Sequence, residues 1–266
     1  MDGATWLGLE PTDDPLRWRL PITPGISTLQ PALFGGCGLG AVLAAMEGST
    51  GRPAVWATAQ YLSYARPPEV MDIDVTLAVS SHNITQARAV GHVAGREVLT
   101  VNAALGRRSF EPEGQWAERP QVVAPDLARP AAHRFPGRES IMTRLDIRLA
   151  DARGLDEIEG NPMPAGRSSL WVRMPDGLDA SAAALAVLGD YVPFGIGQAI
   201  GAVAGGNSLD NTLRVVRPVP TEWVLLDVRI DGIANGFGHG TVHLWSDDGT
   251  LMATAGQSTI ARYWRA

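Results

Sequence analysis

Apolar residues follow two different rhythms along the chain, and the two alternate. From Phe34 to Gly48 the segment FGGCGLGAVLAAMEG is apolar at most positions and rich in glycine, which predicts a buried helix. After YLSYARP (Tyr61 to Pro67) come three runs with strand alternation, VTLAV, ITQARAVGHV and REVLTVNAAL. The order then recurs. An Ala-rich helical segment from Asp179 to Leu188, with Asp179 as its N-cap, precedes TLRVVRP (Thr212 to Pro218), and WVLLDVRI, GFGHGTVHLW and GTLMATAGQSTIA follow. Both signatures read L-x-x-x-R-P, with Arg66 and Arg217 standing 151 residues apart. An internal duplication is the economical reading. Between Arg107 and about Ser140 periodicity fades and Pro, Glu and Arg accumulate, which is linker composition. The expected division is residues 1–107, a linker at 108–139, and residues 140–266. Each half reads as a long helix followed by an antiparallel meander with short turns such as Asp248-Gly249, giving α+β. Two such sheets can join edge to edge and protect edges that one copy alone would expose.

Composition narrows the chemistry. The 266 residues carry a net charge of −6, and all 22 basic residues are arginine. Mechanisms that need an ammonium group are excluded: the lysine of a phosphate-binding loop, a Schiff base, a Ser-Lys hydrolase. The acidic balance and dispersed arginines argue against nucleic acid as a partner. One cysteine allows no internal disulfide and too few thiols for a zinc or iron–sulfur site, which fits a reducing cytoplasm. The first residues, MDGATWLGLEPTDDP, lack the basic and apolar pattern of a signal peptide. No apolar run is expected to reach the roughly 18 residues of a membrane span.

The order of the motifs resembles the acyl-CoA thioesterase II family, whose members are double hotdogs of two fused units sharing one continuous sheet. The resemblance covers most of the chain. It rests on Phe34-Gly35-Gly36 opening the first helix, Tyr64 and Arg66-Pro67 ending the first strand, and Asn83-Ile84 to Arg88-Ala89-Val90 on a following strand. In the second half it rests on the helix ending at Asp190, Ser208-Leu209-Asp210 leading to Arg217-Pro218, and Ala255-Gly256-Gln257 in the last strand. It implies hydrolysis of acyl-CoA thioesters to free fatty acid and coenzyme A by an activated water. Carried over by position, the catalytic residues are Asp190, Gln257 and Ser208, the last standing where Thr is expected. A serine keeps the donor and acceptor but lacks the methyl that restricts rotation. The resemblance further implies a homodimer or higher assembly and no metal or redox cofactor. Oxyanion stabilisation is expected from backbone amides at the start of the first helix, Gly35 to Gly40.

The residues also have plainer readings. Asp190 ends an apolar helix where its charge opposes the dipole, so it needs compensation; otherwise it is a solvated helix-end carboxylate. Leu251, Ala253, Ala255 and Gln257 share a face by alternation, so Gln257 is buried and orients a water or bonds the backbone. At the repeat offset, position 257 falls on Ala104 to Gly106 and position 190 near Leu39. Neither polar group has a counterpart, and one active centre is expected per chain.

Other candidates fit poorly. GGCGLG (Gly35 to Gly40) has the wrong spacing for a dinucleotide fingerprint, and its glycines are expected to let helix pack on sheet. Cys37 could be a nucleophile with His82, His92, His133, His239 or His243 as base, its pKa lowered by the helix start, but its flanks do not form a nucleophile elbow. His239 and His243 share a strand face without a third ligand. A hotdog hydratase or dehydratase would carry His five residues after Asp190, where Gly195 stands. A non-catalytic acyl-CoA or acyl-carrier binding protein is the remaining alternative.

Overall fold

The computed structural model describes residues 2–132, 137–174 and 181–264. The described residues form an antiparallel sheet of fourteen strands with helices on its inner face. The first half supplies β1 (Glu10–Pro11), β2 (Arg17–Pro21), β3 (Ala54–Tyr61), β4 (Val70–Ser80), β5 (Ile84–Val93) and β6 (Arg96–Gly106). The second supplies β7 (Arg129–Pro130), β8 (Asp146–Asp151), β9 (Arg167–Arg173), β10 (Ala204–Ser208), β11 (Asp210–Val215), β12 (Val224–Ala234), β13 (Phe237–Ser246) and β14 (Leu251–Tyr263). Across the sheet the order is β1-β2-β4-β5-β6-β3-β11-β14-β13-β12-β9-β8-β7, with β10 also on β14. The halves meet where β3 pairs with β11, as expected for two fused hotdog units. Both outer edges end in two-residue strands carrying a proline, Pro11 and Pro130, which cannot extend a ladder.

The duplication is written in the irregularities. A bulge between Leu77 and Val79 in β4 recurs between Ile230 and Gly232 in β12. A second, between Gly91 and His92 in β5, recurs between Leu244 and Trp245 in β13. Bulges turn a strand's twist at a fixed point, so their shared placement means the two sheets curve alike around their helices. The second bulge also corrects one expectation. Trp245 pairs with Leu251 while Leu244 pairs with Ala253, so Met252 is the extra residue and alternation reverses there. Leu251 joins an outer cluster with Trp171, Trp223 and Trp245, whereas Ala253, Ala255 and Gln257 face inward.

The inner layer holds α1 (Gly3–Leu7), α2 (Gly35–Thr50), α3 (Ala182–Gly189) and α4 (Val192–Ile200). Helix α2 is buried on nearly every side because the sheet covers one face and α3 another, which explains its lack of a polar stripe. Its glycines serve both contacts: Gly48 lies against Trp18 of β2 and Gly38 near Leu99 of β6, as expected for helix on sheet, while Gly36 and Gly40 lie against α3. A Cβ on Gly36 would stand 2.8 Å from the Ala186 carbonyl, and one on Gly40 2.7 Å from that of Ala183. The second half was expected to carry one long helix; it carries two. Ser181 caps α3 by accepting from the Ala184 N–H, and the proposed Asp179 cap lies outside the described residues. Asp190 leaves helical geometry at φ −88°, ψ 55°, and Pro193 stands in the first turn of α4, where its missing N–H costs nothing. Residues 182–200 are long and apolar enough to qualify as a membrane span by composition, against expectation, but this stretch is mostly buried and broken at Asp190.

The segment after Arg107 is not a free tether. It crosses the outer face of the second half, where the Val123 carbonyl accepts from the Trp171 indole at 2.8 Å and Gln115 bonds Gly249 and Leu251.

Candidate active site

Asp190 sits between α3 and α4, buried to 5% exposure. Its Oδ2 accepts the Gly36 N–H at 2.6 Å, from the first turn of α2. That amide belongs to a helix N-terminus, so the carboxylate missing stabilisation from its own helix is compensated by the dipole of another. Gly35 and Gly36 permit the approach. A Cβ on Gly36 would reach 2.9 Å from Asp190 Cβ, and one on Gly35 2.8 Å from Asp190 Oδ2.

The other oxygen, Oδ1, accepts from Gln257 Nε2 and, at 3.3 Å, from the Ser208 hydroxyl. Gln257 Nε2 also donates to Ser208 Oγ at 3.0 Å, and its Oε1 accepts the Val192 N–H at 3.1 Å, from the start of α4. The structure therefore brings Asp190, Ser208 and Gln257 into one network, although three separate elements carry them. Both amide hydrogens of Gln257 are engaged within it, leaving a lone pair on Oε1 as the group's remaining capacity. Burial raises the Asp190 pKa above the ordinary carboxylate range, and the bonds from Gln257, Gly36 and Ser208 pull against that rise.

A strand irregularity places Ser208. Ser208 pairs with Thr259 and Thr212 with Gly256, so the strand gains one residue around exposed Leu209. Ser208 and Asn211, three apart, then both turn inward, which strict alternation forbids. Asn211 is 1% exposed and lies against Tyr61, whose hydroxyl is buried. Asn211 is near enough to favour the ionised phenol, yet their geometry falls short of a hydrogen bond: the Tyr61 hydroxyl and both amide atoms of Asn211 have no partner. Burial first, and the Asp190 charge second, hold the Tyr61 pKa well above the ordinary tyrosine value. Neither residue was singled out from sequence. The usable signal was a polar residue on an inward strand position, hidden for Asn211 by the irregularity.

The rival nucleophile fails on electrostatics. Cys37 is fully buried, and desolvation together with Asp190 pushes its thiol up, opposite to the expected lowering at a helix start. His92 bonds Asp74 and His239 bonds Ser258, while His133 lies outside the described residues. Among the described residues no group of His, Cys, Asp and Glu could hold a metal. The expected oxyanion amide is partly pre-empted, because the Gly36 N–H already serves Asp190. A shallow depression of about 410 Å³, lined by Asp74, Thr76, Arg88, His92 and Glu97, lies on β4 to β6, and none of these residues joins the Asp190 network. Its open form and mixed lining, with His92 already paired to Asp74, give it no chemistry comparable to the buried network.

Comparison with known proteins bears on the family and the fold. The family description "acyl-CoA thioesterase C-terminal domain" matches residues 118–261. A protein from Novosphingobium aromaticivorans provisionally named a thioesterase is 33% identical over 95% of this chain and 97% of its own, with a TM-score of 0.86. A hotdog protein of unknown function from Alicyclobacillus acidocaldarius is 19% identical, covers 96% of each chain and has a TM-score of 0.84. The acyl-CoA thioesterase II TesB2 of Mycobacterium marinum is also 19% identical, over 98% of each chain, with a TM-score of 0.75. No curated protein matches the chain. With its duplicated sheet and with more than half its length matching the family description, the chain belongs to the acyl-CoA thioesterase family, in the double-hotdog form of thioesterase II.

Proposed function

We propose that the protein hydrolyses acyl-CoA thioesters to a free fatty acid and coenzyme A, with water as nucleophile and Asp190 as general base. The observation that supports this most directly is the buried carboxylate held at both oxygens, by Gly36 on one side and by Gln257 and Ser208 on the other. A carboxylate so fixed, with a pKa raised by burial, is a stronger base than an exposed aspartate and is poised to take a proton from water. Water loses its proton to Asp190 as its oxygen bonds to the acyl carbon. The carbonyl becomes an oxyanion, and on collapse the C–S bond breaks and the proton passes to the leaving sulfur. Gln257 and Ser208 hold the carboxylate in one orientation, and the remaining lone pairs on Gln257 Oε1 and Ser208 Oγ can accept from the water. The proposal places this chemistry in the cytoplasm, in a homodimer or larger assembly, with acyl-CoA the sole substrate besides water.

A thiol-release assay across short, medium and long acyl-CoA substrates tests the reading. Asp190→Asn is expected to lower kcat by about 100- to 10,000-fold while the fold persists. Near wild-type release by that variant would remove Asp190 from its role. Tight acyl-CoA binding by the wild-type protein without any thiol release would support a binding protein instead.

A further inference from the structure

The groups around Asp190 divide into donors and acceptors, and among the described side chains the division leaves the Tyr61 hydroxyl and the Asn211 amide without work. A hydrolytic site needs acceptors for the water and donors for the oxyanion. The acceptors are present in Asp190, Ser208 and Gln257. The donors nearest them are engaged: the Gly36 N–H by Asp190, the Val192 N–H by Gln257, and both Gln257 hydrogens by Asp190 and Ser208. Among the described side chains, the Tyr61 hydroxyl and the Asn211 amide stay buried and unpartnered beside these groups.

Their placement is specific. Tyr61 ends β3 of the first half, and Asn211 lies on β11 of the second, pairing with Ala59, so the two are diagonal neighbours across the strand junction. A side chain on Gly35 would collide with the Asp190 carboxylate at 2.8 Å and with the Tyr61 hydroxyl at 3.1 Å. Carboxylate and phenol thus close over the same glycine from two sides. Leaving a buried hydroxyl and a buried amide unsatisfied costs stability, so a ligand that pairs with them recovers that cost.

Resting on the hydrolytic reading above, we propose that Tyr61 and Asn211 form the oxyanion site: the Tyr61 O–H and the Asn211 Nδ2–H donate to the thioester carbonyl oxygen as it gains charge. Asp190 takes the water proton on the opposite side of the acyl carbon. Each half of the chain then supplies one oxyanion donor, and the second half supplies the base.

Tyr61→Phe and Asn211→Ala test this, assayed beside the wild-type protein and Asp190→Asn by thiol release and thermal melting. Loss of an oxyanion donor is expected to lower kcat by about 100- to 1,000-fold for Tyr61→Phe, with KM changed by no more than about twofold. Because the phenol oxygen has no partner to lose, Tm should stay level or rise; a structural hydroxyl would instead lower it. Should Asn211→Ala fail to fold, Tyr61→Phe alone decides the question. If Tyr61→Phe keeps kcat within about twofold of wild type while Asp190→Asn is inactive, the oxyanion assignment is overturned and the base assignment stands. If the wild-type protein releases no thiol, or Asp190→Asn is fully active, the hydrolytic reading fails and takes this inference with it.

Discussion

Asp190 is ionisable, buried and at the wrong end of its own helix, and each of these has a measurable consequence. Burial raises its folded-state pKa above the unfolded value, so the folded protein holds this proton to higher pH. The sign follows from linkage: its contribution to stability is full below the unfolded pKa, near 4 by the ordinary value for aspartate, and is lost as pH rises through the folded pKa. The stability of wild type relative to Asp190→Asn should therefore decline across that window and stay flat above it, as read from denaturant melts at a series of pH values. A difference that does not change with pH would contradict the raised pKa. In the proposed mechanism the same shift sets activity. As pH falls, kcat/KM should drop along an acid limb lying above the range of an exposed aspartate.

At the scale of elements, the site depends on how closely two helices approach. Helix α2 brings the Gly36 N–H to Asp190 only because Gly36 and Gly40 present no side chain to the carbonyls of Ala186 and Ala183. Backbone atoms cannot swing aside as a side-chain tip can. Gly36→Ala should accordingly destabilise by roughly 1–3 kcal/mol through overpacking and lower activity by displacing Asp190, read by thermal melting and thiol release. Unchanged Tm and rate would show that the helices can slide apart freely. Strands were the most legible elements in the sequence, since alternation marks a half-buried strand wherever it runs unbroken. The helix break was not legible: Asp190 read as the end of one helix, whereas a second helix, α4, starts two residues on at Val192.

For the whole molecule, the junction of β3 with β11 is both the seam and the place of the proposed active centre. Thr58 and Thr212 face each other there, with hydroxyls 2.9 Å apart, and Tyr61 and Gly36 of the first half meet Asp190 and Asn211 of the second. Neither half can complete the site. Residues 1–107 and 108–266, divided in an exposed loop, are expected to be inactive and poorly soluble when expressed singly, because each leaves a long strand edge open. Co-expression should restore thiol release. An active second half on its own would show that Gly36 and Tyr61 are dispensable.

Much of this protein was determined by local pattern alone. Alternation located the strands, the repeated L-x-x-x-R-P and its flanking elements revealed the duplication, and the resemblance selected Asp190, Ser208 and Gln257. Periodicity reports which side of its own element a residue occupies. It does not report which element lies opposite, and it fails wherever one extra residue reverses the pleat. For that reason only the tertiary structure decided that Leu251 faces outward, that Ser208 and Asn211 both face inward, and that the amide compensating Asp190 comes from Gly36, 154 residues away in the chain. Tyr61 became visible as a functional candidate for the same reason, since an unpartnered hydroxyl is a property of its surroundings and not of tyrosine.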